Sequence, residues 1–487
     1  MKKQYSILTP VMLTFVAFAI ISCSISTEVD TISDIHVPDP ISTTSGNHVL
    51  PPAVVGTEPP DNSSAPSPGF CPDTIIIGGQ RISTAVTELH ITMIDAEQFC
   101  EAEEEAEPIY EEETAFSTTA YITLETADAD FAQLKYITNL QELSIIYDRY
   151  SEFNSGFDDI SALAGLTNLI SLRLLGHSIS DISALAELVK LEVLDLSWNE
   201  ISDISALAGL TGLTTLVLEW NEVSDISALA GLTNLSNLNL SRNRISDISV
   251  LTELRGLRVL RVYDVNNVIK DASAFIGSVA ELTDLNALII GGDNISDISA
   301  LSKLANLTEL RMWYCQVSDI SALAGLKGLT KLDIRGSDIN DINALAKLEN
   351  LTELWISDSS LSDITPIAGL TSLSKLWLNN NQIRDLSPMV GLTNLTYLDL
   401  GSNQVSDLSP LADLKNLRYL SLDSNQISDL SPLIELKSLR VLYLLSNQIS
   451  DIAPLAKLAN LECLGLEYNL ICDWSPVAQV TTVCGRP

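Results

Sequence analysis

The chain has only four histidines, the side chain enzymes most often use as a general base. His36 and His48 lie in a Pro/Ser/Thr-rich stretch that lacks the apolar content to fold. His90 and His177 are far apart in sequence, so a multi-histidine metal site or a Ser-His-Asp triad is hard to assemble. The run from Glu97 to Glu113 holds nine glutamates, but it lacks the glycine turn and alternating Asp/Asn of a calcium loop. It reads as a solvated loop. Aspartates also recur at even spacing, and stacking would bring them to about 4.8 Å from one another. Each precedes a short helical segment whose unpaired N–H groups and dipole favour negative charge without any ion. No catalytic group, metal or cofactor is expected. With 63 acidic against 27 basic residues the net charge is −36, which opposes binding to nucleic acid.

The aspartates mark a repeat. They fall at 130, 159, 181, 203, 225, 247, 271, 297, 319, 341, 363, 385, 407, 429, 451 and 473. Twelve of the fifteen intervals are 22 residues, and the others are 29, 24 and 26. Each unit reads LxxLxLxxNxISDIS(A/P)LxxL, the period and leucine spacing of a leucine-rich repeat. Within Leu191 to Asn199 (LEVLDLSWN), Leu194 and Leu196 alternate with polar residues, which predicts a short strand with one buried face. Asn199 follows where the chain must turn, and its amide can bond backbone groups that the strand leaves over. Later units place Pro after a polar residue, as in Ser387-Pro388, the cap and first-turn pair of a helix. A unit cannot bury its leucines alone, so the units stack into one continuous core. The expected class is α/β: a curved solenoid with a parallel sheet on the concave face and short helical or 3-10 turns on the convex face.

That architecture identifies the residues the repeat does not fix. The residue before each strand leucine and the two before Asn face the open side. Trp198, Trp220, Trp313, Trp355 and Trp377 fall there, as do Tyr147, Tyr263, Tyr314, Tyr397, Tyr419, Tyr443 and Tyr468. Strand propensity alone does not explain why these aromatics avoid the buried slots. Exposed Trp and Tyr with Arg are the side chains of binding hot spots. Open-face basic residues gather between Arg242 and Lys375, where the repeat is also irregular: Asp293, Cys315, Ser337 and Ser359 replace Asn. The expected ligand site is therefore Arg261, Tyr263, Arg311, Trp313, Tyr314, Lys331, Arg335, Trp355 and Trp377, with its basic groups steering an acidic or polar partner. The partner expected is a protein, or less favoured a glycan. The competing reading is a structural or scaffolding component of the cell envelope that self-associates.

At the N-terminus Lys2 and Lys3 precede an apolar run, Val11 to Ile21, too short to span a bilayer. Ile20-Ile21-Ser22-Cys23 resembles the bacterial lipobox, which implies that 1–22 is a signal peptide and that Cys23 is acylated. Residues 23–70 then form a Pro/Ser/Thr-rich tether, 71–125 an N-terminal cap, 126–471 an array of about fifteen units and 472–487 a C-terminal cap. The implied location is a bacterial cell envelope, at the outer membrane or cell surface, with the membrane reached only through the lipid.

The 22-residue unit resembles the bacterial internalin-type repeats over roughly Thr126 to Trp474. The resemblance implies a right-handed horseshoe whose concave face binds another macromolecule. The stretch Ile82 to Met93 looks like a degenerate first strand, as in secreted repeat proteins that open with a cysteine-flanked cap. Export permits disulfides. Cys71–Cys100 and Cys472–Cys484 are the favoured pairs, with Cys463 competing for the second, and Cys315 is expected as a buried free thiol.

Overall fold

A computed structural model describes residues 74–77, 80–93, 119–124, 131–147, 157–263, 271–292 and 294–484. The expected signal peptide and tether, Cys23, Cys71, Cys100, the glutamate run, His36, His48 and Asp293 lie outside the described residues. A short hairpin, β1 (Thr74–Ile77) with β2 (Gln80–Ser83), is antiparallel and separate. All other strands form one parallel sheet. They are β3 (Glu88–Met93), β4 (Thr119–Leu124), β5 (Glu142–Tyr147), β6 (Ser171–Leu175), β7 (Val193–Asp195), β8 (Thr215–Val217), β9 (Asn237–Asn239), β10 (Val259–Tyr263), β11 (Ala287–Gly291), β12 (Glu309–Trp313), β13 (Lys331–Arg335), β14 (Glu353–Trp355), β15 (Lys375–Trp377), β16 (Tyr397–Asp399), β17 (Tyr419–Ser421), β18 (Val441–Tyr443), β19 (Cys463–Gly465) and β20 (Thr482–Cys484). The order is β4–β3–β5 and then sequential to β20. No pairing among the described residues joins β20 back to the first strands, so the sheet is open. The solenoid is the expected one.

The strands form because Leu and Ile alternate with open-face residues at period two. In β12, Leu310 and Met312 are fully buried while Glu309, Arg311 and Trp313 are only partly so. Every unit stacks its leucines on those before and after, and the core runs unbroken from Ile82 to Val480. From β4 onward the described connections carry 3-10 turns, with one exception. Between β10 and β11 a true helix, α1 (Ala272–Val279), occupies the enlarged unit and buries Phe275, Ile276 and Val279.

Three expectations are corrected here. The strand foreseen over Ile82 to Met93 divides, its first residues ending β2 and its last forming β3 beside β5. Ser does not cap the convex turns. It is their first residue in eleven units, with Asn343, Thr365 and Ala453 in three others, and in all fourteen the Asp two positions earlier accepts that residue's backbone N–H at 2.8–2.9 Å. A carboxylate oxygen reaches that donor from outside the turn, where a serine already inside it would have to fold back. The segment from 472, expected as a cap, has the form of a further unit, with its own Asp473 cap, turn and β20. Cys472 is exposed just before the last turn while Cys484 stands on β20 opposite Gly465, and the bridge expected between them is not formed.

Candidate functional site

Parallel in-register pairing places side chains of successive units in columns about 4.8 Å apart. Equal positions therefore touch, and rings at equal positions stack. Trp355 lies on Trp377 at 4.0 Å and 13°, and Tyr397 on Tyr419 at 4.1 Å and 3°. Trp377 meets Tyr397 at 4.5 Å, and Tyr419 meets Tyr443 edge-on at 5.8 Å. A second series begins earlier. Trp198 stacks on Trp220 at 4.2 Å, and the Arg242 guanidinium lies 4.4 Å over Trp220 and 5.5 Å over Tyr263. Tyr263 meets Trp313 edge-on at 4.7 Å, and Arg335 covers Trp313 at 5.2 Å.

Asp333 joins the two series. It is 1 % exposed, accepts Trp313 Nε1–H at 2.8 Å, and pairs in register with Trp355. The result is one diagonal ridge. It starts at the turns following the strands (Trp198, Trp220, Arg242), moves to the last strand position (Tyr263, Trp313), then the middle (Trp355, Trp377), then the first (Tyr397, Tyr419). Two glycines make room for it. Tyr263 and Trp313 belong to β10 and β12 and meet across β11, where a Cβ on Gly291 would lie 2.7 Å from Trp313 O and 3.4 Å from Tyr263 Cβ. A Cβ on Gly465 would lie 2.8 Å from the Tyr443 ring.

The turn residues Trp198, Trp220, Arg242 and Tyr314 have φ between 52° and 60°. Large side chains are uncommon in this left-handed region, which glycine and asparagine adopt at lower cost. Trp220 is 37 % and Tyr314 65 % exposed.

The electrostatics differ from the expected steering of an acidic partner, because the central basic residues are already neutralised within the chain. Arg311 Nε donates to Glu309 at 2.6 Å, Lys331 and Lys375 share Glu353 at 3.8 and 3.6 Å, and Arg335 pairs with Asp333 at 2.6 Å. Arg261 donates to Asn237 at 3.3 Å and its Nε–H has no partner; burial lowers its pKa, with Glu309 opposing. Positive charge on this surface therefore buttresses rings and carboxylates. The irregularity at the enlarged unit is α1, on the convex connection and not on the sheet.

Of the nine expected residues, Tyr263, Trp313, Arg335, Trp355 and Trp377 belong to the ridge, Tyr314 stands on its rim, and Arg261, Arg311 and Lys331 flank it. That choice missed Arg242, which links Trp220 to Tyr263 within the earlier series, and stopped short of Tyr397, Tyr419 and Tyr443. The available signal was the recurrence of Tyr at one strand position 22 residues apart, Tyr397 and Tyr419. Cys315 is the buried free thiol expected, and burial pushes its pKa up to about 12. His177 is buried in an Asn slot with Nε2 donating to Ile145 O at 3.1 Å, and burial lowers its pKa to about 4.

Comparison with known proteins agrees with this geometry. Residues 155–379 match a family model described as a leucine-rich repeat region, and 393–435 and 437–479 match one of paired leucine-rich repeats. No curated protein matches the chain. Among solved structures, an internalin from Listeria monocytogenes is 35 % identical over 66 % of this chain and 87 % of its own, with a TM-score of 0.53. A leucine-rich-repeat protein of Leptospira interrogans aligns over 75 % of this chain and 90 % of its own, at 19 % identity and a TM-score of 0.56. A plant peptide hormone receptor, solved in complex with RGF2, covers 75 % of this chain and 66 % of its own, at 20 % identity and a TM-score of 0.53. The last two are alike in fold alone.

Proposed function

The chain belongs to the internalin-type leucine-rich-repeat proteins, and from that premise we propose a non-enzymatic binding protein that engages a protein ligand through its open face. The observation that carries the reading is the ridge from Trp198 to Tyr443. Aromatic rings and arginines at this density on an exposed surface supply large apolar area at small side-chain entropy cost. The ring geometry favours a protein over a glycan. Trp355 stacks on Trp377 and Tyr397 on Tyr419, with Trp377 and Tyr397 in contact at a tilt of 34°, so their flat sides are largely used up between strands. A sugar ring stacks on an open aromatic face, whereas a protein surface packs equally well on edges.

The proposed setting is a bacterial envelope, with the array held by an acyl chain on Cys23. This rests on the lipobox-like Ile20-Ile21-Ser22-Cys23. Replacing Cys23 by Ala should move the protein from the membrane fraction to the soluble one; retention after a high-salt wash would reject the anchor.

For the face itself, purified protein is to be screened against envelope extracts and host proteins. Trp355→Ala with Trp377→Ala should then weaken binding by about 2–4 kcal/mol while the far-ultraviolet circular dichroism stays unchanged. Because Arg242 connects them to the same ridge, Trp198→Ala with Trp220→Ala tests its far end and is not an independent control. Unchanged affinity in both pairs would place the ligand off the open face.

A further inference from the structure

We propose that the C-terminal part of the open face, β16 to β19, takes a cationic partner: an extended Lys- or Arg-bearing peptide segment lying across the strands, its charges on Asp399, Asp423 and Glu467 and its aliphatic stems on the ring edges of Tyr397, Tyr419 and Tyr443. The inference rests on the open-face reading above and adds the chemistry of the ligand.

Three observations carry it. First, among the described residues the open positions from β16 to β20 hold no Lys or Arg, and Lys375, on β15, is the last basic residue described on this surface; Arg486 lies outside the described residues. Second, its carboxylates are unneutralised. Every basic residue of the central strands except Arg261 has a carboxylate partner, but no ion pair among the described residues reaches Asp399, Asp423 or Glu467. Asp399 accepts only the Gly401 N–H (2.9 Å) and a Ser421 hydroxyl, and Asp423 accepts the Leu445 N–H at 2.6 Å. Third, these groups are half-buried beside one another and beside tyrosines. Burial, with Asp399 and Glu467 as like-charged neighbours, pushes Asp423 up to about 6. A surface that holds partly buried, mutually repelling carboxylates gains most from a ligand that brings positive charge. Lys and Arg suit it further, since their stems cover apolar ring edges while their heads reach the carboxylates. A metal ion does not fit, because among the described residues no three such groups converge as ligands.

The test is a titration of the full chain at low salt with a peptide of about eight residues alternating Lys and Ser, and with its Glu/Ser counterpart, a length that spans the four strands. Calorimetry and tryptophan fluorescence read binding, Trp377 being in contact with Tyr397. The Lys peptide should bind and the Glu peptide should not. Asp399→Asn, Asp423→Asn and Glu467→Gln together should weaken binding at least about tenfold. Both Asn side chains keep an oxygen for the backbone N–H groups, so the fold survives. Equal binding by this variant overturns the proposal, because the attraction is then a diffuse response to the −36 net charge. Absence of Lys-peptide binding also overturns it. Tyr419→Ala with Tyr443→Ala separates the two readings. Loss of binding there but not in the carboxylate variant rejects the cationic class and keeps the open face; loss in neither rejects both for this site.

Discussion

At the scale of single residues, stability is concentrated in the Asn slots. Asn403 Oδ1 accepts the Ile383 N–H at 2.9 Å while its Nδ2 donates to the carbonyls of Leu378, Leu400 and Gly401. One side chain thus satisfies backbone groups of two units where the strand has ended and water is excluded. Asn403→Ala leaves buried donors and acceptors unpaired and should cost about 2–4 kcal/mol in urea unfolding. The converse is available at Ser359, which follows Asp358 in the same left-handed turn and whose short side chain reaches one group of the preceding unit, donating to Ser337 O, where an Asn would reach several. By the spacing seen at Asn381 and Asn403, an Asn there would accept from Ile339 N and donate to Ile334 O and Ile356 O. Ser359→Asn should therefore stabilise the protein by about 1 kcal/mol. A lower midpoint would mean that the slot has closed around serine.

At the scale of the element, the unit is strand, Asn turn, Asp-capped 3-10 turn and return, and most of it was legible in the sequence. The period and the apolar alternation fix strands and core because stacked identical units leave the leucines one place to go. The diagonal ridge was legible only in part. Each aromatic could be assigned to the open face, but contact between rings depends on register and on empty positions such as Gly291. The ion pairs that neutralise Arg311, Lys331, Arg335 and Lys375 run across strands or along one strand, and counting charges along the chain does not show them. A second Asn series also went unread. Asn234, Asn306, Asn350 and Asn394 each bond the carbonyl 23 residues earlier at 2.9–3.0 Å, bracing one convex return to the next. Because these contacts are all between neighbours one period apart, deleting Asp407 to Ser428 should leave a folded, shorter array. Deleting eleven residues from the same place puts open-face residues into the core. Equal thermal midpoints for the two deletions would refute contact by neighbours alone.

At the scale of the whole molecule, the response to pH is set by two opposed populations of carboxylates. Aspartates of the convex ladder, among them Asp181, Asp203, Asp225, Asp297 and Asp429, have pKa values lowered, first by the hydrogen bond from the turn backbone. A lowered folded value means that their contribution is present above the unfolded pKa of about 3.9 and is lost as pH falls below it. His177 acts in the same direction. Its folded pKa of about 4 lies below the ordinary histidine value, so its contribution is lost as pH falls from about 6.5 to 4. Asp195, Asp399 and Asp423 act oppositely, because burial raises them. For Asp423, at about 6, the contribution is full below the unfolded pKa and disappears as pH rises through 6. The net charge of −36 adds repulsion that protonation relieves. Stability should therefore rise slightly from pH 8 to about 5 and fall steeply below about 4, where the convex caps are protonated together. Asp423→Asn isolates one of the opposed terms: it keeps the Leu445 N–H bond and removes the charge, so the variant should be more stable than wild type at pH 8, with the gap narrowed by about half at pH 5 and closed only below the unfolded pKa of about 3.9. Thermal midpoints at the two pH values decide the matter, and a variant less stable at pH 8 would show that the Asp423 carboxylate supports the fold it is argued to strain.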